Sequence, residues 1–447
     1  MTAVEHPARD GTDGPARRPR RIPFPVVDEV ARHCLQEEEP ETVHIEVHLP
    51  GRLDPARLRT AFTQALHRHP RILMREAEGP WYRRRYEWEL TPDPDVDVVS
   101  FPPPDRDALK HARDRALGAA PPLTASPPIR LEVVDEDATS PGTGTGTGTV
   151  LFLTINHTAL DGPACLRVLA TAAELYGGRD NSPSAPPVRT PDAPQEQVDT
   201  PSTWTPPARV AHGTPEPSPG NGVLVTELSV PHRPKGAPYT VNDQLMVTTA
   251  LMIAHWNREH GARPRPLRIT MPVDDRPRGT DMPIGNGTRL VEVPFAAAEL
   301  TSVDRNSLPD LLRRTADRTR ALKSLPRPQL GHGAALLTAP VVPVPWRAAL
   351  TRGLRRAAAP WTSTTLLSNI GRIPYALDFG ATAGRARAVW FSAPARMPRG
   401  LTVTTASTAG RLHLALRWSR TLLSHGDGAH LRDLFEHYLH ATQEPRP

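Results

Sequence analysis

The sequence predicts an α/β protein built from two lobes with sheets of similar size. Helical and strand-like hydrophobic patterns intermingle in both halves of the 447-residue chain, which is typical of packed layers of sheet and helix. A stretch rich in Pro, Ser, Thr and Asp at 177–222 separates the halves, and we interpret it as a linker. A histidine, His157, directly follows a wholly apolar strand, and such strand ends are common places for a site.

Five helices are predicted from apolar residues spaced three and four apart and from capping residues. Asp54 can cap the first helix, and Pro55 fits its first turn. The second helix begins near Gly162 and ends at Gly177, and the third is expected to be capped by Asn242. The predicted helices span 54–68, 162–176, 241–258, 308–323 and 428–441.

Strands are predicted where apolar residues alternate or form short continuous runs. In RLHLALRW at 411–418, Leu412, Leu414 and Leu416 share one face. The low-complexity segment SPGTGTGTGT at 140–149 lies between two apolar runs and predicts a flexible hairpin loop. The predicted strands span 42–48, 129–134, 150–156, 223–230, 267–271, 288–293 and 411–418.

These elements divide the chain into four regions. Residues 1–20 are polar and rich in Arg, Gly and Pro, and they predict a disordered tail. An N-terminal lobe is expected at 21–176, the linker at 177–222 and a C-terminal lobe at 223–447. Each lobe is long enough to enclose a hydrophobic core of its own.

The charge balance gives little support to a nucleic-acid partner. The formal net charge is +6, but only three of the 54 basic residues are lysine. That arginine bias, with abundant Ala and Pro, is typical of GC-rich coding. Aromatic residues make up only 5% of the chain, and no nucleic-acid-binding motif is evident. We therefore expect no nucleic-acid partner.

Cysteine content and hydropathy exclude several further classes. Cys34 and Cys165 are the only cysteines, too few for a disulfide framework or a Cys-rich zinc site. No apolar run reaches the about 18 residues of a membrane helix, and RRPRR at 17–21 is not followed by the apolar core of a secretory signal. These features predict a cytoplasmic protein without a membrane partner, a metal or a redox cofactor.

One motif carries chemistry. In VLFLTINHTALDG at 150–162, the apolar strand ends at Asn156, His157 follows, and Asp161-Gly162 opens the next helix. A neutral histidine held by such a turn can act as a general base toward a hydroxyl or an amine. Asp161 either lies beneath the imidazole or anchors the turn elsewhere. With 18 histidines, a His-x-x-x-Asp spacing is expected about once by composition. These residues alone leave a catalytic base and a structural histidine equally open.

The segment resembles the HHxxxDG motif of the chloramphenicol-acetyltransferase-like superfamily. This superfamily includes nonribosomal-peptide condensation domains and polyketide-associated acyltransferases. The resemblance extends over 21–441 with the segments in the expected order. Six further segments carry it: LDPARLRTAFTQALHRHPRILMR (53–75), PPIRLEVV (127–134), TVNDQLMVTTALMIAHW (240–256), MPVDDRPRG (271–279), IGNGT (284–288) and TLLSNIGRIP (365–374).

The chain departs from the motif at one position. Asn156 stands where the superfamily has its first histidine, whereas His157 matches the second histidine, which is the superfamily's base. The departure favours a stand-alone acyltransferase over a peptide-synthetase module. No adenylation domain and no Ser-centred carrier motif is evident, which favours the same interpretation.

The resemblance implies two lobes that form a V with the active site in the cleft. It implies transfer of an acyl group from a CoA or carrier-protein thioester to a hydroxyl or amine, giving an ester or amide, in natural-product biosynthesis. The donor thioester brings its own handle, so no permanently bound cofactor is expected. The partners expected are an acyl-CoA or an acyl or peptidyl carrier protein and a small-molecule acceptor, and the protein is expected to be monomeric.

The resemblance also assigns roles to the residues of the motif. His157 is the expected base. Asp161 is expected to position the motif through a bidentate ion pair with Arg276, which lies in the second lobe. The N–H of Gly162, at the positive end of a helix, is expected to help bind the oxyanion. The expected substrate-binding residues are Asn156, Asn286, Ser368 and Asn369.

An apolar segment at 331–359 leaves two interpretations open. It lines an acyl channel, or it forms two ordinary helices of the second core. Arg352, Arg355 and Arg356 in this segment either meet a phosphopantetheine phosphate or an acidic carrier protein, or they form a solvated helical face.

Alternatives from other functional classes remain. The first is a non-catalytic condensation-like module that recruits a carrier-protein-dependent partner, which the intact His157, Asp161 and Gly162 argue against. A second is an epimerase-like relative in which the same histidine moves a Cα proton. A nucleic-acid binder, suggested by the net charge alone, is the third.

Overall fold

The computed structural model describes residues 20–135, 148–179, 205–277, 281–301, 307–325 and 334–443. The predicted disordered tail, apart from its last residue, lies outside the described residues. So do most of the predicted hairpin loop and the first part of the predicted linker.

Ten helices lie in this described part of the chain. They are α1 (Val26–His33), α2 (Pro55–Arg68), α3 (Ala108–Gly118), α4 (Gly162–Tyr176), α5 (Val241–Glu259), α6 (Ala297–Thr301), α7 (Leu308–Ser324), α8 (Ala334–Leu337), α9 (Val344–Ala357) and α10 (His425–Ala441). None of these helices is both long enough and apolar enough to cross a membrane.

Fourteen strands form three sheets within the same residues. The strands are β1 (Arg20–Pro23), β2 (Thr42–Leu49), β3 (Met74–Glu76), β4 (Glu87–Leu90), β5 (Val99–Ser100), β6 (Ile129–Asp135), β7 (Thr149–Asn156), β8 (Asn221–Ser229), β9 (Leu267–Val273), β10 (Arg289–Phe295), β11 (Thr365–Arg372), β12 (Ala388–Ser392), β13 (Leu401–Thr408) and β14 (Arg411–Ser419). The sheet orders are β1-β4-β3, β12-β2-β7-β6-β5 and β10-β9-β11-β13-β14-β8.

The predicted α/β class with two similar-sized sheets is confirmed, since one large sheet has five strands and the other has six. All predicted helices and strands are present, and their ends differ from prediction by at most three residues. Asp54 caps α2 as predicted, accepting a hydrogen bond from the N–H of Arg57 at 2.7 Å. The small sheet β1-β4-β3 was not predicted, because its strands are only three or four residues long.

The predicted cap of α5 is wrong. Thr240, not Asn242, caps the helix: its hydroxyl accepts from the N–H of Asp243, and the Asp243 carboxylate accepts from the N–H of Thr240. This reciprocal capping box satisfies two N–H groups at once. Asn242 therefore lies inside the first turn, and its side chain reaches toward β11, where it accepts a hydrogen bond from Asn369 at 3.2 Å.

One strand joins the two halves. The chain leaves the six-stranded sheet after β11, adds β12 antiparallel to β2 in the five-stranded sheet, and returns as β13. Val389 and Phe391 of β12 therefore belong to the core of the first lobe. The expected C-terminal lobe at 223–447 thus contains a strand of the first sheet. Local hydrophobic pattern does not reveal such an exchange, since β12 is apolar in either sheet.

The described part of the predicted linker is built into the second lobe. The N–H of Ala208 donates to the carbonyl of Pro266 at 2.8 Å, and the Trp256 indole donates to the carbonyl of Ala211 at 2.9 Å. Strand β8 begins at Asn221. From residue 205 onward the segment is therefore packed structure, although it lacks a periodic apolar pattern.

Two large clusters of buried apolar side chains form the cores. In the first lobe, α2 and α4 pack together and cover the five-stranded sheet. In the second, α5, α7 and α10 pack with the six-stranded sheet. Polar contacts join the lobes: the buried guanidinium of Arg417 on β14 donates to the carbonyl of Thr42 on β2 at 2.7 Å. Hydrogen bonds therefore connect the two lobes directly. The cleft between the lobes contains the motif at 157–162.

Candidate active site

A cavity of about 490 Å³ lies between the two large sheets. Residues of both lobes line it. The first sheet contributes the start of β2, the loop after β7 and the end of β12, and the second contributes β9 and β11. The lining includes the polar and charged side chains and the small residues that follow: His157, Asp161, Gly162, Asn242, Lys323, Arg355, Ser368, Asn369, Arg396 and Arg399, together with the aromatic ring of Phe391.

His157 is held by its own loop. Its N–H donates to the carbonyl of Glu41 at 2.8 Å, and Nδ1 lies 3.0 Å from the carbonyl oxygen of Leu160. A carbonyl can only accept a hydrogen bond, so Nδ1 carries the proton in this contact. In the neutral ring, Nε2 then keeps its lone pair. The side chain is partly exposed and lines the cavity, so the ring is oriented as a general base requires.

Asp161 anchors the loop away from the imidazole. One carboxylate oxygen, Oδ1, caps α4 by accepting from the N–H of Ala164 at 3.0 Å. The other, Oδ2, accepts from Arg276 Nη2 at 2.7 Å and from the N–H of Gly287 at 2.8 Å. The sequence left open whether Asp161 lies beneath the imidazole or anchors the turn elsewhere, and in the structure it anchors the turn elsewhere. Asp161 joins the motif to two segments of the second lobe.

Arg276 pairs with Asp161 through one hydrogen bond, not through the expected bidentate pair. Its two-pronged contact is with Asp274: Nε lies 2.9 Å and Nη2 lies 3.2 Å from the carboxylate oxygens. Nη1 donates to the carbonyls of Pro283 and Gly285. Burial opposes the charge, but the hydrogen bonds and charges of the two carboxylates raise the pKa of Arg276 above its ordinary value.

Gly287 is needed beside this arginine. A Cβ at position 287 would lie 2.3 Å from Nε of Arg276, so a side chain there would displace the guanidinium. Sequence reasoning recognised the IGNGT segment but did not assign Gly287 or Asp274 to the site. The signal was present, since both residues belong to segments that resemble the superfamily.

Asn286 holds the motif loop rather than lining the cavity. Its Nδ2 lies 3.2 Å from the carbonyl oxygen of His157, 3.0 Å from that of Thr158 and 3.0 Å from Asp28 Oδ1. These contacts cross between the lobes. The expectation that Asn286 binds substrate is therefore replaced by a positioning contact, because its amide is engaged with protein oxygens.

Asp28 is a buried carboxyl behind the motif loop, and no pattern in the sequence pointed to it. It accepts hydrogen bonds from Asn286 and, at 2.8 Å, from the indole N–H of Trp88. Burial raises the pKa of Asp28 to about 6, against the effect of these hydrogen bonds and of the charges of Arg71 and His157. A buried carboxyl that keeps its proton to a higher pH than an ordinary aspartate therefore supports the loop that carries the histidine.

Asn156 does not line the cavity. Its Nδ2 donates to the carbonyl of Pro121 at 2.8 Å, and its Oδ1 accepts from the N–H of Thr158 at 3.1 Å. The residue is buried, and these bonds close the turn after β7. The expected substrate contact is therefore replaced by a structural one.

Ser368 and Asn369 do line the cavity, from the middle of β11 rather than from its end. Asn369 is fixed by hydrogen bonds on both of its side-chain groups. It donates to Asn242 and accepts from the N–H of Gly371 at 2.9 Å and from the hydroxyl of Thr405 at 3.1 Å.

Gly162 is the first residue of α4 and lines the cavity. A Cβ there would meet the ring of Phe391 at 3.3 Å and the side chain of Val43 at 3.6 Å. The glycine thus keeps the floor of the cavity open where the helix begins. Backbone N–H groups at this end carry a partial positive charge.

Four basic residues line the same cavity: Lys323, Arg355, Arg396 and Arg399. Arg396 pairs with Glu41. Burial lowers the pKa of Arg399 to about 10, and its guanidinium contacts the hydroxyl of Ser363. Across the described residues, no group of histidine, cysteine and carboxylate side chains is arranged to hold a metal ion.

The segment at 331–359 does not belong to the second core. Within its described residues, α9 packs on α1 of the first lobe, burying Val344 and Ala348. Arg355 reaches the cavity lining, whereas Arg352 and Arg356 lie exposed on the outer surface. Among these three arginines, only Arg355 lines the cavity, so contact with a phosphopantetheine phosphate there stays a prediction for Arg355 alone.

A second, larger cavity of about 900 Å³ was not predicted. It opens beside β11, and Asn369 lines both cavities. Arg372, Arg385 and Arg387 lie in its wall. The two cavities therefore share one lining residue, whose side chain is fixed by hydrogen bonds.

Comparisons with known proteins place this geometry in context. No family model matches the chain. It is 26% identical over 396 residues to the uncharacterized protein Rv2305 of Mycobacterium tuberculosis strain H37Rv, covering 80% of this chain and 84% of that protein. The same figures hold for the uncharacterized protein MT2362 of strain CDC 1551.

Solved structures match the whole architecture. TRI3 trichothecene 15-O-acetyltransferase from Fusarium sporotrichioides has a TM-score of 0.64 at 12% identity, covering 95% of this chain and 96% of that one. A variant of the starter condensation domain of rhizomide synthetase RzmA, in complex with C8-CoA, has a TM-score of 0.60 at 15% identity, covering 93% of each chain. This chain has the condensation-domain fold. The likeness extends over both lobes, since each match covers at least 93% of this chain.

Proposed function

We propose that this protein is an acyltransferase that moves an acyl group from a CoA or phosphopantetheinyl thioester to a hydroxyl or amine. The observation that carries the proposal is the orientation of His157. Its Nδ1–H is committed to the carbonyl of Leu160, so Nε2 is left as a base in a cavity between two lobes. The condensation-domain fold, which it shares with an acetyltransferase, supports the same reaction class.

The reaction balances with one histidine. Nε2 of His157 takes the proton of the acceptor as its oxygen or nitrogen attacks the thioester carbonyl carbon. The carbon–sulfur bond then breaks, and the imidazolium returns the proton to the thiolate, so that a free thiol and an ester or amide leave. The backbone N–H of Gly162, the first residue of α4, is the group that would stabilise the oxyanion, because Pro163 has no N–H and the N–H of Ala164 donates to Asp161.

The charge of the cavity favours a donor with phosphates. Lys323 and Arg355 line the cavity, and cations bind the phosphate of a pantetheine arm. The RzmA structure holds C8-CoA in the same fold. The second cavity, beyond Asn369, would bring the acceptor from the other side. The named neighbours belong to natural-product pathways, which is the setting we propose.

Thiol release tests the proposal. Wild-type protein is offered acyl thioesters of CoA and pantetheine with pooled alcohols and amines, and the released thiol is measured with a colour reagent. We expect acceptor-dependent release that falls by about 10²–10⁴-fold in His157→Ala. His111→Ala, at an exposed histidine of the first lobe, is the matched control and should keep full activity.

Equal release by wild type and His157→Ala would contradict the role of His157. Release from no donor would contradict acyl transfer from free thioesters. In that case a pull-down with acyl carrier proteins, and exchange of a Cα proton for deuterium in an aminoacyl thioester, separate a recruiting module from an epimerase.

A further inference from the structure

Large apolar side chains cluster on one outer surface of the protein. Leu336 is 80% exposed, Val341 74%, Trp346 71% and Trp81 76%, values unusual for side chains of this size. The cluster, called the α9 patch below, comprises Trp81, Tyr82, Leu336, Val341, Val342, Trp346, Leu350 and Leu354. It is far richer in apolar residues than the rest of the described surface.

Helix α9 has two apolar faces, of which one is buried and the other is exposed. Its inner face buries Val344 and Ala348 against the first lobe. Its outer face carries Trp346, Leu350 and Leu354 at spacings of four, which puts them on one stripe of the helix. A soluble surface helix normally turns polar residues to this side. The outer stripe is therefore unpartnered in the described structure.

An ion pair and backbone hydrogen bonds fix the segments that carry the patch. The buried guanidinium of Arg347 pairs with Glu29 of α1 at 2.8 Å and donates to the carbonyl of Arg84 at 2.7 Å. The N–H of Val344 donates to the carbonyl of Arg83 at 2.9 Å. These bonds tie the loop that carries Trp81 to the start of α9. The exposed side chains are thus held together rather than scattered.

Positive charge predominates around the patch, although Glu78 lies exposed on the loop that carries Trp81. No Asp or Glu occurs between residues 334 and 377. Exposed arginines border the apolar stripe: Arg84 and Arg85 lie on the loop, and Arg352 and Arg356 lie on α9. Tryptophan and leucine on one side of a helix with arginine beside them is the composition of helices that lie in the interface of a bilayer.

We propose that the α9 patch docks on the surface of an anionic lipid bilayer. Tryptophan, tyrosine and leucine side chains bordered by arginines suit insertion among lipid headgroups. The arginines supply attraction to anionic lipids. This revises the expectation of no membrane partner, which considered only membrane-spanning helices.

Docking would bring the catalytic cavity close to the bilayer. Arg355, on α9, and Thr362, just beyond it, line that cavity. A substrate dissolved in the membrane would then enter without crossing water. This consequence rests on the proposed acyl transfer, whereas the docking itself does not.

Vesicle co-sedimentation tests the docking without any substrate, so its failure is separate from failure of the acyltransferase assay. Full-length protein is mixed with vesicles of phosphatidylcholine alone or of phosphatidylcholine with phosphatidylglycerol. We expect binding to the mixed vesicles that weakens in high salt. The double variant Trp346→Asp/Leu350→Asp should bind at least about tenfold more weakly, and Arg356→Gln about fivefold more weakly.

Val96→Asp is the matched control, since it places the same charge on an exposed apolar residue of the first lobe. It should bind as wild type, and circular dichroism of each variant checks the fold. Absence of wild-type binding to the mixed vesicles overturns the proposal. So does equal binding by the double variant, or a change of that variant from dimer to monomer in light scattering, which would assign the patch to a second copy of this chain.

Discussion

Asp161 Oδ2 lies 2.7 Å from Arg276 Nη2, and this contact fastens the motif loop of the first lobe to the second. The same carboxylate caps α4 by accepting a hydrogen bond from the N–H of Ala164, and it accepts another from the N–H of Gly287. The Asp161 side chain thus caps α4 and also links the two lobes. His157, the proposed base, lies in the same loop, which ends at Asp161.

Replacing Asp161 with alanine should destabilise the protein and lower its activity. The cap is lost, and the buried Arg276 loses one of its two carboxylate partners. We expect the free energy of unfolding in urea to fall by about 2–4 kcal/mol, and acyl transfer to fall as the loop loosens. Asp54→Ala removes an N-cap without an ion pair and should cost about 1 kcal/mol. Equal costs for the two variants would show that the contact with Arg276 stabilises nothing.

Adding one methyl group at Gly162 should harm catalysis more than folding. The nearest neighbour of a Cβ there is the Phe391 ring at 3.3 Å, which can yield by a few tenths of an ångström. We expect Gly162→Ala to change the free energy of unfolding by less than about 1 kcal/mol but to lower kcat/KM by about 10²-fold, because substrate is displaced at the start of α4. Gly118→Ala, at the open end of α3, is the control. Unchanged kcat/KM in Gly162→Ala would show that substrate does not approach this residue.

Asn286 should act on the rate through the position of His157. Its amide lies within hydrogen-bond distance of the carbonyls of His157 and Thr158, so Asn286→Ala leaves buried oxygens without a donor. We expect a loss of about 1–3 kcal/mol in unfolding free energy and a fall in kcat with little change in KM. Asn257→Ala loses two comparable hydrogen bonds inside the second lobe. Its stability cost should be similar, with kcat unchanged; an equal fall of kcat in both variants would assign the effect to general loosening.

Asp28 should give the unfolding free energy a measurable pH dependence. Its pKa is about 6 in the folded protein and 3.8 by reference, so the native state binds the extra proton between these values. Stability from this group is therefore lost as pH rises from about 4 to about 6, by about 3 kcal/mol in total. Asp28→Asn removes the effect, and its unfolding free energy relative to wild type should rise by that amount over the same range.

Urea unfolding at several pH values checks this expectation. Buried His33 and His69, each with a pKa lowered by burial to about 4, act in the opposite direction in both proteins. Only the difference between variant and wild type is therefore informative. A difference that stays constant with pH would show that Asp28 titrates at its ordinary pKa.

The sequence by itself determined the secondary elements and the motif. Spacing of apolar residues predicted α2, α4, α5 and the long strands, because burial of one face imposes a period that each segment records locally. Resemblance over the whole chain predicted the two-lobed fold. It also singled out Asp161 and Arg276, which lie 115 residues apart.

The tertiary structure alone decided which residues meet. In the tertiary structure β12 pairs with the first sheet. Asn156 and Asn286 make hydrogen bonds to backbone carbonyls. The buried Asp28 lies behind the histidine loop, where it accepts a hydrogen bond from Asn286. The tertiary structure also puts Trp346 on the surface, although the sequence predicted an interior helix or channel there. Such outcomes depend on pairing between segments distant in sequence. A hydrophobic pattern records that a residue favours burial, but not which partner covers it.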